Sequence, residues 1–376
     1  MPHYDIAIVG AGIVGLAHAL AAAKRGKRVV VIDRDAQANG ASVRNFGFVT
    51  VTGQQAGDCW NKARRARDVW AQVVDEAGIA VLQRGLLLAA RLDESEAVIE
   101  AFVKTEMGEG CRRITAEEAR RHVPALRPEA TRFALHSPHE LRVESRTAIP
   151  LLAAFLETKY GVEFRRGEAV TAVEPPRVET ASGPVEAETV IVCPGDDFKS
   201  LFPERIKAYD VTRCKLQMLR VTPQQPVSFG TAIMSDLGLG RYLGYAELPE
   251  AEALKRRLDR YLKAERENGV HLIVTQSADG SLVVGDSHHY AETPDPFSHE
   301  DVDRLILDEM DKVLDLPGRT ISERWIGTYA SAPDRWRFTD RPSDALRIVV
   351  VTAGCGASTA FGIGEETIED FYGRVQ

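Results

Sequence analysis

Two groups of residues in this chain have the types and spacing to do chemistry. The first is Gly10-Ala11-Gly12-Ile13-Val14-Gly15. In a turn of this kind the first glycine permits the tight bend and the second lets backbone amides approach a pyrophosphate. The third lets the following helix pack on its strand, and the helix N-terminus stabilises the anion. Asp33 closes the next apolar run. An acid there hydrogen-bonds a ribose hydroxyl and disfavours a 2′-phosphate. The second group is Asp286-Ser287-His288-His289-Tyr290, which follows a strand-like run. His288 has an ordinary pKa of about 6.5, suited to proton exchange near neutral pH. A hydrogen-bonded loop histidine is the alternative reading of the same residue.

The surrounding sequence predicts the elements that position these groups. Tyr4 to Val9 reads as a strand, and a helix starts near Ile13 with Ile13, Leu16, Ala17 and Leu20 on one face. Lys24, Arg25 and Gly26 supply its stop signals, and Arg28 to Ile32 is a second strand. Such a βαβ unit requires a parallel sheet covered by helices. An amphipathic helix around Trp70 follows, with Arg64, Arg65 and Arg67 on its solvated face. Val81–Leu92 and Thr131–Val143 read as strands, Thr147–Tyr160 as a helix ended by Gly161, and Val162–Arg165 and Thr189–Cys193 as strands. Thr212 to Trp325 changes character. Strand-like runs at Lys215–Val221, His271–Thr275 and Ser281–Val284 flank charged helices at Glu250–Glu267 and Glu300–Leu314, an α+β pattern on a mostly antiparallel sheet. Arg347–Thr352 is a buried-type strand, and Glu365–Tyr372 closes the chain as a helix. The fold class is α/β plus α+β, with two interleaved domains. Residues 1–82, 143–211 and 322–376 form a discontinuous Rossmann-type domain, and 83–142 with 212–321 form a substrate-binding domain.

Composition narrows the function classes. The 376 residues are 44% apolar and 27% charged, with a formal net charge of −8. That balance argues against nucleic-acid binding, while a small anionic substrate stays compatible because a pocket's local field need not follow the net charge. Cys59, Cys111, Cys193, Cys214 and Cys355 are scattered and form no CxxC pair. Neither a metal site nor a disulfide framework is expected, and the reduced cytoplasm is the expected location. Ile6 to Ala23 lacks a basic n-region and is interrupted by glycines, so it does not read as a signal peptide. No stretch is apolar over the roughly 20 residues of a membrane span.

Gly40-Ala41-Ser42-Val43-Arg44-Asn45-Phe46-Gly47 resembles the flavin-contacting loop of the D-amino-acid oxidase, glycine oxidase and monomeric sarcosine oxidase family. Three further stretches resemble that family in the same order: Arg142–Arg146, Thr189–Gly195 and Ala353-Gly354-Cys355-Gly356. The resemblance covers nearly the whole chain and implies FAD rather than NAD, in a glycine oxidase-like architecture. It implies that Gly10, Gly12, Val14 and Gly15 lie at the pyrophosphate and Asp33 with Arg34 at the adenosine. Ser42, Asn45, Phe46 and Gly47 would lie along the flavin, with ordinary turn chemistry as the alternative for Ser42 and Asn45. Val170 would reach the adenine, and Gly195 and Gly354 would stand near the flavin.

The chain also departs from the family. Tyr329 stands where glycine and D-amino-acid oxidases carry a carboxylate-gripping arginine, and it lacks the bidentate fork. Gly327 stands at the flavin-linking cysteine of sarcosine oxidases, which implies non-covalent FAD. Val283 replaces their oxygen-activating lysine, which leaves O₂ or another acceptor as the oxidant. Tyr242 matches a substrate-side tyrosine of glycine oxidase, with an ordinary strand aromatic packed on the sheet as the alternative reading. The stretches Gly285–Tyr290, Trp325–Ala330, Gly354–Gly356 and Phe361-Gly362 are most similar to a subfamily associated with aminophosphonate breakdown. That similarity implies oxidation of a 2-aminoethylphosphonate-type amine, N-methylated or 1-hydroxylated, to an aldehyde plus amine or ammonia. Arg241 and Arg44, then Lys215, Arg213 and Arg335, are candidate ligands for its anionic group, each also readable as a surface cation. His288, Tyr242 and Tyr329 are the candidate catalytic and substrate-binding residues. A glycine or sarcosine-type oxidase, a 2-hydroxy acid dehydrogenase and a non-catalytic flavin-binding regulator are the rival readings. A homo-oligomer stays open.

Overall fold

The computed structural model describes residues 3–374 and builds them around two sheets. The first sheet has eight strands with a parallel centre, in spatial order Leu346–Val351, Val185–Val192, His3–Val9, Val29–Asp33 and Glu163–Arg166. Arg337–Ser343 closes one edge antiparallel, and Val170–Glu174 with Arg177–Thr180 forms a hairpin on Val185–Val192. The pleat sends alternate side chains to opposite faces. Ile6, Ile8, Val29 and Val31 enter the core under the helices Ile13–Ala23 and Ser145–Tyr160, whereas Tyr4, Ala7, Val30 and Ile32 pack with Phe198, Ile206 and Phe338 on the other side.

The second sheet has ten strands, antiparallel except where Ala232–Ser235 runs parallel to Val81–Ala90. Its longest strands, Thr212–Pro223 and Arg319–Ser331, pair along nearly their whole length. Most of Arg319–Ser331 lies beyond residue 322, on the nucleotide side of the expected boundary, and Phe48–Val49 also pairs into this sheet. Both segments therefore carry cavity-lining residues from one sheet towards the other. Among the described residues, no helix is long and apolar enough to cross a membrane.

Three local expectations are corrected. The last helix spans Gly356–Tyr372 rather than starting at Glu365. Its first half is rich in glycine and small polar residues, which read as poor helix formers. Packing requires them. A Cβ on Gly364 would lie 2.8 Å from the Ala17 carbonyl, and one on Gly362 would lie 2.9 Å from the Lys62 oxygen. Trp70 anchors the same helix, donating through Nε1 to the Ala357 carbonyl at 2.9 Å and meeting Phe361 edge-on at 5.1 Å. Second, Glu250–Glu267 is interrupted at Leu262, giving helices Ala251–Tyr261 and Lys263–Glu267 with no proline or glycine to mark the break. Third, Tyr242 lies in no strand; it caps the short helix Leu243–Ala246.

The Gly364 contact makes a prediction. Gly364→Ala is expected to lower the melting temperature by several degrees, through roughly 1–3 kcal/mol of overpacking, although alanine is the better helix former. Thermal unfolding followed by circular dichroism checks it. An unchanged or raised midpoint would contradict the packing argument.

Candidate active site

A cavity of about 650 Å³ is lined by residues of both sheets. Of the residues expected at a cofactor, Gly10, Gly12, Val14, Gly15, Asp33, Arg34, Ser42, Asn45, Phe46, Val170, Gly195 and Gly354 line it, and Gly47 does not. Gly47 instead lies against Val143, where a Cβ would meet the carbonyl oxygen at 1.7 Å. The glycine turn is closed as its sequence requires: a Cβ on Gly15 would sit 1.8 Å from the Gly10 oxygen, and one on Gly10 would sit 2.5 Å from the Cys193 oxygen. The helix it opens has no acidic side chain in its first turn, so its positive end is open to an anion.

The polar groups around the turn hold its shape. The Asp33 carboxylate accepts the Ala11 N–H at 2.6 Å and the Asp35 N–H at 2.8 Å. Ser42 Oγ accepts the Ile13 N–H at 2.9 Å. Asn45 donates to the Ala41 carbonyl at 2.6 Å and accepts from Gly47 N–H at 2.7 Å and Ser145 Oγ at 2.8 Å. In this arrangement Asn45 performs turn chemistry while one face borders the cavity. Arg34 pairs with Asp197 at 2.6 Å.

At the substrate side, Arg241, Tyr242, His271, Asp286, His288 and Tyr329 share the cavity. His288 Nδ1 lies 2.9 Å from the Gly269 carbonyl oxygen, an arrangement that places the proton on Nδ1 and leaves Nε2 as an acceptor. Nε2 faces Asp286 Oδ2 at 3.8 Å, and His271 Nδ1 lies 3.0 Å from Oδ1. Burial drives the His288 imidazole well below its ordinary pKa despite the Asp286 charge, so the ring is neutral. Burial resists ionisation of Asp286, but the two histidines and Arg241 outweigh it and hold the carboxylate below its usual range. Burial pushes the phenols of Tyr242 and Tyr329 up, which keeps both as O–H donors. Tyr242 packs edge-on against His271 at 5.5 Å, and Tyr329 against His288 at 6.4 Å between ring centroids.

The candidate cations separate clearly. Arg241 donates to Tyr290 Oη at 3.1 Å and forms no salt bridge among the described residues. Among the described residues, the Arg44 side chain donates to Asn39 Oδ1 at 3.2 Å and to the Ile326 carbonyl at 3.5 Å. Both line the cavity. The other three do not, which corrects the expectation. Lys215 is buried against Asp295 at 2.9 Å, Arg213 donates to the Asp196 and Glu292 carbonyls, and Arg335 is exposed beside Asp334. Val283 is buried in the core of the second sheet.

Sequence reasoning placed Asp286 and Tyr290 in the group around His288 without giving either a role, and it passed over His271. The signal was present: Asp279-Gly280 turns between Ile273–Gln276 and Leu282–Gly285, and this hairpin brings the backbones of His271 and Asp286 into mutual hydrogen bonding at 3.0 and 3.1 Å.

Residues 5–369 match the family model DAO, described as FAD dependent oxidoreductase. The chain belongs to the DAO family. Its cofactor is therefore FAD, and the glycine turn, the open helix end and Asp33 fit that group. The DAO-family fold is also seen in solved structures. Glycine oxidase from Bacillus cereus ATCC 14579 is 16% identical with a TM-score of 0.78, covering 99% of this chain and 96% of that one. Iminodiacetate oxidase from Chelativorans sp. BNC1 is 19% identical with a TM-score of 0.72, covering 98% and 96%. L-α-glycerophosphate oxidase from Mycoplasma pneumoniae, with FAD bound, is 16% identical with a TM-score of 0.73, covering 99% and 95%. At these identities the likeness is one of fold. No curated protein matches the chain.

Proposed function

We propose that this DAO-family enzyme oxidises the C–N bond of an amine that also carries a phosphonate, of the 2-aminoethylphosphonate type, N-methylated or 1-hydroxylated, and holds its FAD non-covalently. The observation carrying this reading is the charge layout of the substrate side. Arg241 offers guanidinium donors with no salt-bridge partner among the described residues, while the Asp286 carboxylate and the His288 lone pair offer acceptors. An ion of each sign, bound together, matches a zwitterion. A phosphonate is tetrahedral and takes several separate donors, for which Arg241, Arg44, Tyr290 and Tyr329 are available in place of a single carboxylate fork.

The chemistry a bound FAD supplies is acceptance of two electrons and a hydrogen from carbon. The chain's own residues do the rest. Arg241 anchors the anionic group and fixes the distance to the reacting carbon. His288 Nε2, kept neutral by burial, accepts an N–H of the substrate and orients the amine, whose ammonium proton is lost to water before the C–H bond breaks. Asp286 stabilises the positive charge that develops on nitrogen as the C–H bond breaks, in surroundings where its field is weakly screened. Tyr242 and Tyr329 donate from the cavity wall and shield the pole from bulk water. Water then adds to the released imine, giving the aldehyde and ammonia, or methylamine from an N-methylated substrate.

A second reading keeps the fold but oxidises a C–O bond, and the structural likeness to L-α-glycerophosphate oxidase favours it. Product analysis separates the two. Turnover of 2-aminoethylphosphonate is expected to release ammonia and a phosphonoaldehyde in equal amounts. Oxidation of hydroxy acids with no amine consumed would favour the second reading.

A further inference from the structure

We propose that His271, Asp286 and His288 form a binding site for a divalent transition-metal ion of the zinc class, and that the bound ion excludes the substrate amine. The binding rests on geometry alone. The exclusion rests on the reading of this pole as the amine pole.

Tetrahedral zinc ligands at about 2.1 Å lie about 3.4 Å from one another. The distances here bracket that value: 3.0 Å from His271 Nδ1 to Asp286 Oδ1 and 3.8 Å from His288 Nε2 to Asp286 Oδ2. One ligating atom from each residue falls within 4.8 Å of the other two. All three side chains are at most 5% exposed. Neither ring nitrogen of His271 nor Asp286 Oδ1 has a well-directed hydrogen-bond partner among the described residues. Buried polar atoms left in this state are costly, and a cation shared among them relieves the cost.

The outer contacts point the same way. His288 donates Nδ1–H to the Gly269 carbonyl at 2.9 Å, which turns the Nε2 lone pair into the cluster. A backbone carbonyl on the far ring nitrogen is the contact that orients metal-binding histidines. Two imidazoles and one carboxylate favour zinc-class ions over magnesium or calcium, which take oxygen ligands. The cluster borders the cavity, so a fourth position is open to water or to an anionic oxygen. The ligands come from the two ends of a hairpin rather than from a short motif, which is why no metal pattern is visible along the chain.

The test uses FAD-loaded enzyme stripped with a chelator and dialysed against Zn²⁺ or, in a parallel sample, Mg²⁺. One zinc per chain is expected, with no Mg²⁺ retained. His271→Gln and Asp286→Asn are each expected to weaken zinc binding by at least about tenfold while the flavin spectrum stays that of the parent. In a second arm, Zn²⁺ should raise the amine concentration needed for half-maximal flavin reduction without lowering the rate at saturating amine. No stoichiometric zinc, or an affinity unaffected by both substitutions, overturns the site. Zinc that binds with the expected sensitivity but leaves the amine requirement unchanged upholds the site and overturns the exclusion.

Discussion

Arg241→Ala is expected to raise the concentration of 2-aminoethylphosphonate needed for half-maximal flavin reduction by about 10- to 100-fold, with the rate at saturation within a few-fold of the parent. The size follows from losing a charge-assisted hydrogen bond of roughly 1.5–3 kcal/mol at a desolvated anion. Its form follows from position. Arg241 forms no salt bridge among the described residues, and its side-chain hydrogen bond there goes to Tyr290, so its remaining donors face the cavity. An interaction made equally with bound substrate and transition state changes affinity and leaves the chemical step alone. Arg335→Ala supplies the contrast, because Arg335 is paired with Asp334 and lies outside the cavity. It should leave the amine requirement unchanged. Anaerobic rapid mixing over a range of substrate concentrations measures both quantities. An unchanged half-saturation in Arg241→Ala would remove the anion from this pole.

Asp286→Asn should have the opposite signature. The substitution keeps the shape of the side chain and removes its charge, so the positive charge forming on nitrogen loses its counterion. The rate of flavin reduction at saturation is expected to fall by about 10²–10³-fold, the size seen when a preorganised electrostatic group is removed. The half-saturating concentration should change much less. Because the carboxylate is buried beside two histidines, the control is the flavin spectrum and melting temperature of the variant. A parent-like rate with intact flavin would show that Asp286 shapes the loop and takes no part in the reaction.

Legibility in the sequence followed the range of the interactions involved. The βαβ unit, its glycine turn and Asp33 are local, and their strands and helix fall within a residue or two of the positions their periodicity implies. The last helix was half hidden, because Gly362 and Gly364 are demanded by neighbours far away in sequence, Lys62 and Ala17. The cations show the same division. Residue type alone could not distinguish Arg241 from Lys215. Lys215 is already held by Asp295 and the Phe297 carbonyl, whereas Arg241 forms no salt bridge among the described residues. The Asp286 pole was obscured for a third reason. His271 and Asp286 meet only through hairpin register, and Tyr242 reaches them from a separate pair of helical turns.

Flavin reduction in the absence of oxygen tests the central claim most directly. Mixed with 2-aminoethylphosphonate or its N-methyl derivative, the FAD-loaded enzyme should lose its yellow absorbance in a single turnover, and ethylphosphonate, which lacks the amine, should leave it unchanged. Bleaching by hydroxy acids or glycerol phosphate, with none by any amine, would contradict the account.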